Sequence, residues 1–305
     1  MRNWILINPA AGSIRDIGSV LPHFSLLDRP VVRVALNVED MKAITQEALD
    51  EKALSLVCVG GDGTLNVVLT ALGPDFSRLP LGVVPMGTGN DFSRTMDDDA
   101  RLSEFIQGVV EKKFYNVDVV ECLLGDGTTR FMLNASCGGF SGEVSRNTGA
   151  KSKQFFGGLS YIGSAISSVT DMKVYQPHFV IDDVEEIEVD LVNIAICNGR
   201  SVAGGNIVAP AAEPDDGFMD VILFKNASFL ELLKVAGKSR EGSHLNDENV
   251  IFRKARHIKL SCRENIPFNI DGEVVESMPV EFKVLPSVLR FAWPKQTEEI
   301  AVPQG

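Results

Sequence analysis

No stretch of this sequence approaches the roughly 20 consecutive apolar residues needed to cross a bilayer. The opening Met1 to Asn8 has one basic residue and too short an apolar run for a secretory leader. A surplus of positive charge is missing as well: 29 Lys and Arg against 41 Asp and Glu leave a formal net charge of -12. That balance argues against a nucleic-acid partner, because gripping a phosphate backbone normally takes an excess of basic side chains. It also weakens any whole-surface attraction to anionic membranes. The five cysteines (Cys58, Cys122, Cys137, Cys197 and Cys262) are widely separated and form no CxxC pair, which argues against a disulfide framework or a zinc site. Most lie in apolar runs that read as strands, so buried thiols in a reducing cytoplasm are expected. Neither GxxxxGK[ST] nor GxGxxG occurs, so a P-loop NTPase and a Rossmann dehydrogenase both fit poorly. There is no internal repeat or low-complexity tract.

What is there is an ordinary globular composition, 45% hydrophobic over 305 residues, long enough for two lobes. Up to about residue 120, short apolar runs alternate with segments of helical period, the pattern of βα units on a largely parallel sheet. Trp4 to Ile7, Val31 to Leu36, Ser55 to Val59 and Leu81 to Val84 read as strands. Asp40 is the predicted cap of a helix carrying Met41, Ile44 and Ala48, and Leu102, Phe105, Ile106, Val109 and Val110 form the stripe of another. From Asn116 the texture turns to closely spaced β runs, which predict a mostly antiparallel lobe. Two helices interrupt it, one with Leu159, Ile162, Ile166 and Val169 on one face, the other opened by a Ser228/Glu231 capping box.

The chemistry concentrates in glycine turns. The strand Ser55 to Val59 runs into Gly60-Gly61-Asp62-Gly63-Thr64 and then a helix, which aims backbone N–H groups and a helix dipole at one point and suits a phosphate. Asp62 in such a turn repels a bare phosphate, so it makes sense chiefly beside Mg²⁺ or a positioned hydroxyl. Asn8-Pro9-Ala10-Ala11-Gly12-Ser13 and Pro85-Met86-Gly87-Thr88-Gly89-Asn90-Asp91 follow two other strands in the same way. Loops at the carboxyl ends of parallel strands face one crevice, so three such turns point to one nucleotide site.

These residues resemble the diacylglycerol kinase catalytic domain: Asn8-Pro9 with Gly12-Ser13, GGDGT at 60 to 64 and GTGND at 87 to 91. The resemblance continues through Gly205-Asn206, Ala209-Pro210-Ala211-Ala212, the Asp215-Asp216-Gly217 turn, Gly242 with His244, Arg253-Lys254-Ala255 and Ile270-Asp271-Gly272-Glu273. It spans nearly the whole chain in order. GGDGT alone is shared with NAD kinases; the β lobe with its DDG and DGE motifs is similar to the lipid-kinase branch. The resemblance implies a three-layer α/β nucleotide lobe (residues 1–120, rejoined by 288–305) and an antiparallel β-sandwich lipid lobe (121–287), with the active site between them.

It further implies ATP and Mg²⁺ as cofactors and a lipid acceptor at a membrane surface. Asn8, Pro9, Gly12, Gly60, Gly61, Asp62, Gly63, Thr64, Asn66, Thr88, Gly89, Asn90 and Asp91 are placed around the nucleotide, Asp62 within the Mg²⁺ and phosphate network. Asn37 stands near the end of the second strand, where the family often has a contacting threonine; Ile14-Arg15 stand where it often has lysine. Glu273 is implied as the general base, and a structural Mg²⁺ is implied at Asp216 with main-chain oxygens around Glu213 and Phe218. His244 is read as a packing residue outside the site, and Asp97-Asp98-Asp99 as a solvated helix start. Arg146, Lys151 and Lys153 ahead of Phe155-Phe156 leave peripheral membrane contact open beside the plainer reading of core phenylalanines and solvated lysines. A homodimer stays open too. A kinase for NAD or another soluble hydroxyl compound, and a non-catalytic lipid- or nucleotide-binding regulator, are the competing readings.

Overall fold

The computed structural model describes residues 2–12, 17–96, 102–148, 172–239 and 242–292. The expected helix around Leu159 to Val169, the Asp97 run, Lys151 to Phe156 and Ile14-Arg15 lie outside them. In chain order the first lobe comprises β1 (Asn3–Ile7), α1 (Ile17–Phe24), β2 (Val31–Val34), α2 (Val38–Asp50), β3 (Ser55–Gly60), α3 (Asp62–Leu72), β4 (Leu81–Pro85), α4 (Asp91–Met96) and α5 (Leu102–Val110). Then follow β5 (Phe114–Leu124), β6 (Thr129–Met132), β7 (Ala135–Gly139), α6 (Phe140–Thr148), β8 (His178–Ile181), β9 (Glu185–Glu188), β10 (Leu191–Cys197), β11 (Ser201–Val202) and β12 (Asn206–Ile207). The chain closes with β13 (Met219–Lys225), α7 (Phe229–Ser239), β14 (Val250–Ala255), β15 (His257–Ser261), β16 (Phe268–Ile270), β17 (Glu273–Val275) and β18 (Pro279–Ala292).

Strands β2, β1, β3 and β4 pair in parallel in that order. Both faces of this sheet are covered, which explains its unbroken apolar runs. Trp4, Leu6, Leu56 and Cys58 face one core with Met41, Ile44, Leu65 and Val68, while Ile5, Ile7, Val57 and Val59 face the other with Ile106 and Val109. Helix α2 begins one residue after Asn37, whose Oδ1 accepts the Asp40 N–H at 2.8 Å while Asp40 accepts the Leu36 N–H at 2.9 Å. The cap is therefore Asn37 rather than Asp40, because the reciprocal pair satisfies donors on both sides of the helix start.

The second lobe stacks a six-stranded sheet, β14-β13-β10-β7-β16-β17, on the β5/β6/β18/β15/β8/β9 part of the larger sheet. Alternation in β10 shows the layering: Ile194 and Ile196 enter the core between the sheets, whereas Ala195 and Cys197 face a second cluster that includes Leu232 and Val235 of α7. The apolar run from Ile187 to Cys197 is divided between two strands, β9 and β10. The long antiparallel pair β5/β18 serves both lobes, and Phe291 of β18 pairs with Leu81 of β4. Their register shifts between Leu285 and Leu289, where Ser287 has φ 56°. Asp118 holds that bend, accepting the N–H groups of Ser287 and Gly217 at 2.7 Å each.

Candidate active site

The three glycine turns meet. A Cβ on Gly87 would lie 2.5 Å from Gly61 Cα and 2.7 Å from Asn90 Oδ1, and one on Gly12 would strike Thr88 Oγ1. Only glycine permits this approach of two backbones. Gly87→Ala is expected to destabilise the protein by about 1–3 kcal/mol through forced separation of the turns; a thermal midpoint equal to that of the wild type would contradict this. Asn8 donates from Nδ2 to Thr64 Oγ1 at 2.9 Å, tying the first turn to α3. Gly61 precedes α3 without a side-chain cap, so the first N–H groups of that helix keep their capacity to donate.

These turns form one wall of a cavity of about 750 Å³ between the lobes, to which Asn8, Gly12, Gly61, Asp62, Gly63, Thr64, Thr88, Gly89 and Asp91 contribute. The opposite wall comes from the β lobe: Asp271, Gly272 and Glu273 lie near the turns, and Cys137, Val192, Ala195, Phe224, Leu232 and Val235 make an apolar region. Glu273 is exposed at the start of the edge strand β17, and its carboxylate has no hydrogen-bond partner among the described residues.

Asp62 accepts the N–H groups of Asp91 at 3.0 Å and Phe92 at 3.2 Å, which fixes it at the start of α4. Burial first, then the neighbouring Asp91, push its pKa up to about 6 against these two hydrogen bonds, with Asp271 adding to the rise. Four carboxylates (Asp62, Asp91, Asp271 and Glu273) line the cavity, and no Lys, Arg or His does so among the described residues. A polyphosphate is repelled from such a wall unless a divalent cation accompanies it. The donors suit Mg²⁺, which is commonly held by one or two carboxylates plus substrate phosphates rather than by an all-protein cage. No group of three or more His, Cys, Asp or Glu side chains placed to hold a metal ion occurs among the described residues.

Five of the expected nucleotide contacts stand outside the cavity wall: Pro9, Asn37, Gly60, Asn66 and Asn90. Asn37 is committed to its helix cap. Asn90, at φ 55°, accepts the Gly87 N–H and donates to the Pro85 and Gly87 carbonyls, so it shapes its own turn. Asn66 donates to the Phe131 carbonyl at 3.0 Å and to Asp271 at 3.1 Å. Gly60 lies against Thr64, where any Cβ would collide with the threonine side chain. Asp91 lines the cavity, yet its carboxylate is engaged by Ser201 Oγ and the N–H groups of Gly204 and Gly205, joining α4 to the β11–β12 hairpin of the other lobe.

Asp216 also differs from expectation. Its Oδ2 is 2.6 Å from Lys254 Nζ and its Oδ1 accepts the Phe218 N–H at 2.9 Å, so a lysine ammonium stands against the carboxylate expected to hold a cation with Glu213 and Phe218. No chemistry is routed through a cation at this turn. Nearby Asp220, 3.7 Å from Lys254, keeps a buried Oδ2 without a partner among the described residues, and burial pushes its pKa up to about 6. His244 is buried outside the cavity, its Nε2 2.8 Å from the Val208 carbonyl. Asp271, not singled out as a site residue from the sequence, joins the lobes. It accepts the N–H groups of Leu133, Asn134 and Ala135 and the Asn66 amide. The signal for it was the DGE motif itself, in which only the glutamate was given a role.

A glycine-lined polar cradle on a parallel sheet, opening into an apolar wall of a β-sandwich, defines a two-lobed kinase-like architecture. Residues 2–122 match the model of the diacylglycerol kinase catalytic domain, and residues 136–293 match that of the YegS C-terminal NAD kinase beta sandwich-like domain. The chain belongs to the diacylglycerol kinase catalytic-domain family. It is 30% identical over 255 residues to a diacylglycerol kinase of Staphylococcus carnosus, covering 83% of this chain and 81% of that protein. To a diacylglycerol kinase of Bacillus subtilis it is 29% identical over 262 residues, 84% of this chain and 83% of that one. The fold is shared with a crystal structure of a diacylglycerol kinase from Bacillus anthracis, at a TM-score of 0.73 and 20% identity over 96% of each chain. Among the described residues, no helix is long and apolar enough to cross a membrane.

Proposed function

We propose that this protein transfers the γ-phosphate of ATP, with Mg²⁺, to the hydroxyl of diacylglycerol or a related long-chain lipid. The observation that carries this reading is the continuity of one cavity from the glycine turns and Asp62, past Glu273, to the apolar wall around Ala195, Phe224 and Leu232. The turns supply backbone N–H donors and the N-terminal dipole of α3 to the phosphates. Asp62, held by two N–H groups, offers its remaining lone pairs to the cation, which when bound neutralises charge on the transferring phosphoryl group. Glu273 accepts the proton of the attacking hydroxyl. The apolar wall excludes water and holds the acyl chain, for which a soluble dinucleotide acceptor has no counterpart.

Radiolabelled ATP offered with lipids in mixed micelles and with soluble alcohols tests the proposal: label is expected in the lipid fraction, and label in soluble alcohols alone would remove the lipid part. Glu273→Gln is expected to lower kcat by roughly 10²-fold, within the range for losing a general base. Its melting temperature is expected to be unchanged, because the side chain is exposed and unpartnered. Wild-type turnover in that variant would take the proton-acceptor role away from Glu273.

A further inference from the structure

Two amides on the β-lobe wall retain hydrogen-bonding capacity that the protein does not use. Asn269 lines the cavity and is only 9% exposed. Ser145 Oγ donates to the Ser141 carbonyl at 2.9 Å, so it must act as acceptor toward Asn269 Nδ2, 3.0 Å away. This fixes the orientation of the Asn269 amide and leaves Oδ1, an acceptor, without a donor among the described residues. Asn193, also on the cavity wall, accepts the Ser141 N–H on Oδ1 at 2.9 Å. Its Nδ2, a donor, has no acceptor among the described residues.

The sheet register places these groups along a line. Asn269 of β16 is opposite Cys137 of β7, which is opposite Ala195 of β10, and all three line the cavity. Asn269 is opposite Val274 of β17, and Glu273 pairs with Ile270, the next residue along β16; with strands about 4.8 Å apart, Cys137 and Ala195 lie one and two strands further in. Asn193 lies two residues from Ala195 on the same strand, on the same face of the sheet. A lipid with its reactive hydroxyl at Glu273 and its chain over Cys137 and Ala195 passes along the cavity wall that holds Asn269.

Resting on the lipid-kinase reading, we propose that the preferred acceptor carries, beside the phosphorylated hydroxyl, a second O–H or N–H donor and an acyl carbonyl, as a monoacylglycerol or an N-acyl amino alcohol does. Asn269 Oδ1 accepts from the second donor and Asn193 Nδ2 donates to the carbonyl. Diacylglycerol has no second donor and leaves Asn269 Oδ1 covered and unpaired, a cost that a site built for a hydrogen bond converts into selectivity.

Initial rates in mixed micelles, with matched acyl chains, decide the question for four lipids: a monoacylglycerol, the same lipid with its second hydroxyl methylated, an N-acyl amino alcohol and 1,2-diacylglycerol. For the wild type, kcat/KM is expected to be about 10-fold higher for a lipid bearing the second donor than for the methyl ether and diacylglycerol, mostly through KM. Asn269→Leu is expected to bring that ratio to about one. Equal use of donor-bearing and donor-lacking lipids by the wild type overturns the proposal without any variant. A uniform loss on all four lipids in Asn269→Leu assigns Asn269 a packing role instead and overturns it too. Label in none of the lipids overturns the kinase reading itself, and label in all without preference overturns this inference alone.

Discussion

Asp62→Asn is expected to lower phosphoryl transfer by on the order of 10³-fold at saturating Mg²⁺ and ATP, with the fold retained. The substitution removes the charge that a cation-assisted reaction needs while keeping an oxygen to accept one of the two α4 N–H groups. The other N–H then meets an amide donor, a local cost of about 1 kcal/mol. The pH dependence follows from the carboxyl's pKa of about 6, raised by burial and Asp91. Between the ordinary 3.8 and about 6 the folded protein holds this proton more tightly than the unfolded chain does. The contribution of Asp62 to stability is therefore fully present below 3.8 and falls as pH rises through about 6. Mg²⁺ affinity and activity are expected to run the other way, rising through about 6 and levelling above it. Higher Mg²⁺ is expected to move this limb to lower pH. A pH–rate profile at two Mg²⁺ concentrations checks both statements, and an Asp62→Asn enzyme with undiminished turnover would end the assignment.

Asp271→Ala is expected to cost about 4 kcal/mol of stability and to lower the melting temperature by roughly 10 °C. Burial pushes the pKa of Asp271 up against four hydrogen bonds that favour its charged form. Removing it relieves that desolvation but strands three main-chain N–H groups and the Asn66 amide, and the second effect is larger. Its φ of 48° adds strain for alanine, since Asp and Asn tolerate the left-handed region better. Asp271→Asn keeps one acceptor oxygen and the tolerant backbone, and is expected to lose less than half as much. Because this carboxylate links Asn66 of α3 to the segment entering β7, activity is expected to fall with stability in the alanine variant. Calorimetric melting of both variants checks the order; an alanine variant within about 2 °C of the wild type would contradict the account.

Much of the site could be read along the chain because its geometry is local. A strand, a glycine turn and a helix put N–H groups at one point whatever surrounds them, which is why Gly61, Gly63 and Thr64 were placed at the cavity from sequence. Residues whose partners are distant in sequence were less legible. Asn66 and Asn90 belong to the same motifs, yet the structure turns one to Asp271, 205 positions away, and the other to its own loop. Asn37 looked like a contact at a strand end and is a helix cap, because the Asp40 N–H lies within its reach. Helix α4, with six residues, is too short to display a helical period.

The sequence by itself determined the glycine-rich strand-to-helix turns, the parallel α/β half, the β-rich half and the presence of Asp62 and Glu273, since each follows from local backbone preference or short-period patterning. Only the tertiary structure decided that Asp91 and Asp271 join the lobes, that Lys254 neutralises Asp216, and that an apolar wall carrying Asn269 and Asn193 completes the cavity. Those arrangements depend on strand register and on which buried donors find acceptors, and neither is encoded in any short stretch of chain.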